Sequence, residues 1–169
     1  MPSDPDANRG IRHVHALTQF RDVSVCDLSG AERFVVWAIR WRCSAQDDPA
    51  FADECLSDSF RRAGLDGAQQ ALERFVCSTC PHRLSCPAVQ RLGCWRLNAL
   101  EAHALHAIAC LQAGLIGEAW RTLRSVCPEA QLQDALESLQ DLGLALARSG
   151  GSIRRWSSAA PPTRAPVSH

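Results

Sequence analysis

The sequence predicts an all-α protein, a compact bundle of about six helices. Apolar residues recur at three- and four-residue intervals between residues 29 and 148, the period of helices buried on one face. Helix-capping patterns precede several of these stretches. No stretch alternates apolar and polar residues as a half-buried strand does, and no Asn-Gly hairpin turn occurs. Together these three observations favour helices over a sheet.

The first two predicted helices have clear start signals. Ser29 and Glu32 have the spacing of a capping box, and a hydrophobic run follows them. Asp48 then precedes Pro49, which gives the second helix an N-cap and a proline at its first position. Gly64 ends this second helix.

The third and fourth predicted helices flank a segment that is rich in cysteine. The third begins at Asp66 and leads directly into the cysteine-rich loop, which we place at 77–97. Asn98 and Glu101 form a second capping box and begin the fourth helix, which ends at Gly114.

Two further helices complete the predicted domain. One extends from Gly117 to Cys127, and the other from Glu129 to about Arg148. We expect a disordered N-terminus at residues 1–12, a single helical domain at 13–148 and a flexible C-terminal tail at 149–169, because both ends lack periodicity.

Charge and hydropathy exclude several functional classes. The chain has 18 basic and 18 acidic residues, so general electrostatic attraction to nucleic acid or anionic lipid is not expected. The polar N-terminus lacks the apolar segment of a signal peptide, and no stretch approaches the roughly 18 apolar residues of a membrane span. We therefore expect a cytoplasmic protein, in which metal ligation or free thiols are more typical than disulfides.

The strongest chemical signal is a group of four cysteines. Cys77, Cys80 and Cys86 have the spacing C-x2-C-P-x4-C, and Cys94 follows. Thiolates this close in sequence can bind one metal centre, and prolines after Cys80 and Cys86 disfavour a regular helix there. We predict all four as metal and cofactor ligands.

The spacing favours an iron–sulfur cluster over zinc. Zinc ribbons use two C-x2-C pairs, whereas only one such pair is present here. The stretch from Arg74 to Leu100 contains four arginines and no acidic residue, which suits the negative charge of a [4Fe–4S] cluster held by thiolates. Zinc remains the alternative cofactor.

Residues 77–86 resemble the iron–sulfur segment of the WhiB-like regulators. Those small helical proteins hold a [4Fe–4S] cluster with C-x2-C-P-x4-C and one cysteine further upstream. The resemblance implies that Cys77, Cys80 and Cys86 are ligands, with Cys55 or Cys43 as the upstream ligand in place of Cys94. It covers only this segment, and the basic tail of that family is absent.

Other candidate residues have simpler explanations. His103, His106 and Cys110 share one helix face, but such residues are more often structural than metal-binding or nucleophilic. A reactive cysteine in the arginine-rich loop would suit an enzyme, yet no Asp–His partner can be placed from the sequence.

The sequence thus predicts a small metalloprotein rather than an enzyme. Its cysteine-ligated cluster would serve redox or iron-linked regulation through an unidentified protein partner, without nucleic acid or membrane binding. The alternative is a helical protein-interaction module whose cysteine loop holds a structural zinc or no metal.

Overall fold

The computed structural model describes residues 23–44, 49–80 and 91–155. Within these ranges the fold is all-α, as predicted, with six α-helices and no strand. The helices are α1 (Gly30–Ser44), α2 (Pro49–Arg62), α3 (Ala68–Thr79), α4 (Ala99–Gln112), α5 (Ile116–Leu123) and α6 (Leu132–Arg148). Short 3₁₀ turns at Val25–Asp27 and Glu129–Gln131 precede α1 and α6. The N-terminus predicted to be disordered, residues 1–12, and the predicted N-cap Asp48 lie outside the described residues.

Helix α4 forms the centre of the bundle. Every residue from Leu100 to Cys110 is buried, so this helix is covered all round rather than on one face. It packs against α1, α5 and α6, while α3 packs mainly against α6. The core therefore depends on α4, which explains why its sequence is almost wholly apolar.

A glycine allows α4 and α6 to approach closely. A Cβ atom at Gly143 of α6 would lie only 3.3 Å from Cγ2 of Ile108. Gln112 of α4 also donates a hydrogen bond to the Gly143 carbonyl at 3.0 Å. Gly143 thus has a packing role in the contact between these two helices.

Both predicted capping boxes are present. The Ser29 amide donates to Oε2 of Glu32 at 2.6 Å, and the Glu32 amide donates to Oγ of Ser29 at 3.2 Å. Asn98 and Glu101 make the same pair of bonds, at 3.1 and 2.8 Å. Each glutamate therefore satisfies an otherwise unpaired amide at the start of its helix.

Some predicted boundaries differ from the structure. Helix α3 continues to Thr79, so Cys77 lies in a helix and not in the predicted loop at 77–97. Cys80 leaves the helix with φ −127° and ψ 69°, because the residue before a proline avoids helical geometry. Helix α5 ends at Leu123, and a turn replaces the predicted helix as far as Cys127.

Residues 149–155 pack on the domain. They are the start of the segment expected to be a flexible tail. Gly150 has φ 81° and ends α6 in a left-handed conformation that suits glycine. Ile153 is buried, and its amide donates to Oε1 of Gln112 at 2.9 Å. The Arg154 guanidinium binds the Glu32 carboxylate, with Nη2 to Oε2 at 2.9 Å. The packed domain therefore includes these residues.

None of the described helices combines the length and apolar character needed to cross a membrane.

Candidate cysteine site at the ends of α1 and α3

The predicted ligands lie on different elements. Cys77 is exposed in the last turn of α3, and Cys80 follows as the C-cap and is buried. Cys94 is half-buried in the irregular segment before α4. Cys55, the alternative ligand, is half-buried on α2, and Cys86 lies outside the described residues.

Cys80 is in a disulfide bond whose partner lies outside the described residues. The other described cysteines are free thiols: Cys26, Cys43, Cys55, Cys77, Cys94, Cys110 and Cys127. A sulfur held in a disulfide is not a thiolate, so Cys80 becomes a metal ligand only after reduction. The expectation of thiols rather than disulfides is therefore wrong at Cys80.

Cys43 lies near this group. It is in the last turn of α1, and burial is the main cause that raises the pKa of its thiol to about 11. Arg42 opposes this increase, whereas the negative charges of Glu101 and Cys77 add to it. Two thiolates at Cys43 and Cys77 would therefore repel each other unless a cation lies between them. Cys43 is one of the two upstream ligands implied by the resemblance, and the charge of Cys77 acts on its thiol.

A buried ion pair fixes the position of Cys94. The guanidinium of Arg40 forms a two-pronged bond with the carboxylate of Glu101, with both N–O distances 2.8 Å. The same guanidinium donates to the carbonyls of Cys94 and Arg96. Both charged side chains are almost fully buried, because Arg40 is 2% exposed and Glu101 is 0% exposed. Arg40 therefore ties the cysteine segment to α1 and α4 at once.

The local excess of positive charge is smaller in the fold than in the sequence. Arg74 pairs with Asp141 of α6. Arg96 lies over the ring of Trp95, with its guanidinium carbon 4.4 Å from the ring centre. The acidic partner of Arg74 comes from α6, outside the 74–100 segment, so the segment alone could not predict it.

In the part of the chain that the structure describes, no three His, Cys, Asp or Glu side chains lie close enough to hold a metal ion. The donors of the cysteine site are right in type for zinc or an iron–sulfur cluster, because both accept several thiolates. Their described arrangement, with Cys80 oxidised, does not form a complete ligand set.

Comparisons with known proteins identify no relative. No protein-family model, no curated protein and no solved structure matches this chain. The function must therefore be argued from the residues themselves.

A second group of polar side chains surrounds Cys110 in the core. Its sulfur lies 3.6 Å from Nε2 of His106 and 3.8 Å from Oε2 of Glu118. Burial, followed by the negative charge of Glu118, raises the pKa of Cys110 to about 11. With that pKa, only about one thiol in ten thousand is ionised at pH 7. Cys110 therefore has the properties of a structural thiol rather than a nucleophile.

We expect thiol labelling to separate these cysteines clearly. At neutral pH, iodoacetamide should modify the exposed Cys77 at least about 100-fold faster than Cys110, because Cys110 is fully buried and its pKa is raised. Peptide mapping by mass spectrometry measures both rates, and unfolding in denaturant should make them similar. Equal rates in the folded protein would contradict the described burial.

Proposed function

We propose that this protein is a small redox-responsive metalloprotein. In the reduced form its cysteines bind an iron–sulfur cluster. In the oxidised form Cys80 is held in a disulfide instead. The change between these forms regulates contact with a protein partner, and we expect this to occur in the cytoplasm.

The observation that carries the proposal is the pair of cysteines in different states at the end of α3. Cys80 is oxidised, while Cys77, one helical turn earlier, is exposed and not disulfide-bonded. Cys43 is near enough to Cys77 for their charges to interact. Groups of thiols that alternate between a disulfide and metal ligation are suited to redox sensing.

The surroundings support this role in two ways. Arg40 holds the backbone at Cys94 through a buried pair with Glu101, so this sulfur is carried on a fixed segment. Cys77 and Cys80 would be the ligands at the end of α3, where Cys80 leaves the helix while its amide still donates to the Val76 carbonyl. A bound cluster would supply sensitivity to oxidants, and the protein residues would hold and shield it.

Metal and sulfide analysis tests the proposal. Protein purified without oxygen and with a reductant is expected to contain about four iron and four sulfide ions per chain for a [4Fe–4S] cluster. Cys77→Ser and Cys80→Ser should each lose most of the bound iron. Cys26→Ser is the matched control, because Cys26 is an exposed thiol outside the 77–94 motif and should keep its iron.

The identity of the remaining ligand is decided by three further variants. We expect only one of these variants to lose its bound iron, and that variant identifies the fourth ligand. The three are Cys94→Ser, Cys43→Ser and Cys55→Ser. Anaerobic protein that contains neither iron nor zinc, with Cys77→Ser behaving like the wild type, would rule out the metalloprotein proposal.

The second candidate is a helical interaction module without a redox cluster. It is favoured by the segment at 91–97, because Arg40 holds this segment through the carbonyls of Cys94 and Arg96. Stoichiometric zinc in place of iron would support this candidate, as would a melting temperature that a chelator does not change.

A further inference from the structure

An exposed basic and aromatic surface lies beside the cysteine site. It consists of Arg91, Leu92, Trp95 and Arg96, which we call the basic surface. Trp95 is 56% exposed and Leu92 is 42% exposed. Both arginines are also exposed. Tryptophan and arginine are the residues that most often dominate the energy of protein–protein contacts.

The backbone under the basic surface is fixed. The Cys94 amide closes a turn on the Arg91 carbonyl at 2.9 Å, and the Val25 amide binds the Trp95 carbonyl at 2.8 Å. Arg40 binds the carbonyls of Cys94 and Arg96. Binding through these side chains would therefore require little ordering of the backbone.

A surface of opposite charge lies on the first turns of α2. It consists of Phe51, Asp53 and Glu54, which we call the acidic surface. All three are exposed, and Phe51 is 57% exposed. Each surface thus combines a large exposed aromatic ring with two charges of one sign.

The two surfaces flank the same end of α1. Arg40 binds the segment of the basic surface, and the next residue, Trp41, donates from Nε1 to the Ala52 carbonyl of α2 at 3.1 Å. A two-fold axis near this end of α1 would place the basic surface of one copy against the acidic surface of the other, twice in the same dimer. The zero net charge of the chain leaves no general repulsion between copies.

We propose that two copies of this chain associate with each other, the basic surface of each binding the acidic surface of the other. The contact is independent of any metal. Since each surface has only a few side chains, the dimer is weak and its dissociation constant is on the order of 10 µM. Raising the salt concentration from 50 to 500 mM is expected to weaken it about tenfold, because the contact depends on charge.

Charge reversal tests this arrangement directly. One variant carries Arg91→Glu and Arg96→Glu, so both of its surfaces are acidic. The other carries Asp53→Arg and Glu54→Arg, so both of its surfaces are basic. Sedimentation or light scattering at about 100 µM, tenfold above the expected dissociation constant, should show a wild-type dimer and two monomeric variants. An equimolar mixture of the variants should restore the dimer.

Controls remove the alternative explanations. All samples contain a reductant, so that exposed Cys26 and Cys77 cannot link copies through disulfides. Circular dichroism checks that each variant remains helical, and Arg148→Glu serves as a reversal of an exposed arginine outside both surfaces. A monomeric wild type would show that the basic surface serves a different partner and would overturn the proposal. A mixture that stays monomeric would overturn it as well.

Discussion

Replacement of Arg40 by methionine is expected to lower the free energy of unfolding by about 3–5 kcal/mol. The change removes the guanidinium that makes two hydrogen bonds to the fully buried carboxylate of Glu101. It also removes the donor for the carbonyls of Cys94 and Arg96. Because breaking a buried ion pair is far more costly than losing a surface contact, most of the effect comes from the Arg40–Glu101 pair. Urea unfolding followed by circular dichroism measures the difference.

The matched control is Arg74→Met, which breaks an ion pair of the same kind at the surface. Arg74 and Asp141 are 58% and 57% exposed, so this change should cost no more than about 1 kcal/mol. Removing both members of the buried pair, in Arg40→Met with Glu101→Leu, should recover part of the loss. The free energy of unfolding will not return fully to the wild-type value, because the carbonyls of Cys94 and Arg96 still lack the Arg40 donor. Similar losses for Arg40→Met and Arg74→Met would show that the Arg40 pair is not buried.

Replacement of Glu32 by glutamine is expected to cost about 2–3 kcal/mol. The carboxylate of Glu32 is fully buried and accepts bonds from the Ser29 amide, the Arg154 amide and the Arg154 guanidinium. Glutamine keeps the size of the side chain but loses the charge and one acceptor. Glu129→Gln is the control, because its ion pair with Arg124 is exposed and loose, at 3.4 Å. Thermal unfolding of the three proteins provides the measurement.

The same carboxylate makes stability depend on pH. Burial alone would raise the pKa of Glu32, but the hydrogen bonds and charge of Arg154, together with the Ser29 amide, outweigh it and lower the pKa below its ordinary value of 4.5. A lowered pKa means that the contribution is complete above the unfolded value and is lost as the pH falls through the folded value. Between neutral pH and acid, Glu32→Gln should therefore show a shallower loss of stability than wild type. An identical pH profile would contradict this.

Local features of this fold could be predicted from the sequence. The spacing of Ser29 with Glu32 and of Asn98 with Glu101 identified two helix starts, because a capping box involves only neighbouring residues. The helical period of apolar residues gave the all-α class for the same reason. What the pattern could not give is the second bond of each glutamate, which reaches an arginine 61 or 122 positions away.

The cysteine site shows the same division between local and distant information. The motif predicted that Cys77, Cys80, Cys86 and Cys94 lie in one loop, but helix α3 continues through Cys77. The effect of the Cys77 charge on Cys43 depends on how α1 and α3 pack. Similarly, the lack of helical periodicity after Ser149 indicated flexibility, whereas Gln112 and Glu32 bind residues 153 and 154 through tertiary contacts.

The bond between Glu32 and Arg154 also has a consequence for biosynthesis. Translation produces Glu32 early, and its arginine is added only 122 residues later. Until that residue emerges from the ribosome, the first helix of the nascent chain cannot complete its native surroundings. A chain that stalls before this point would leave the start of the helix without the arginine that covers its carboxylate.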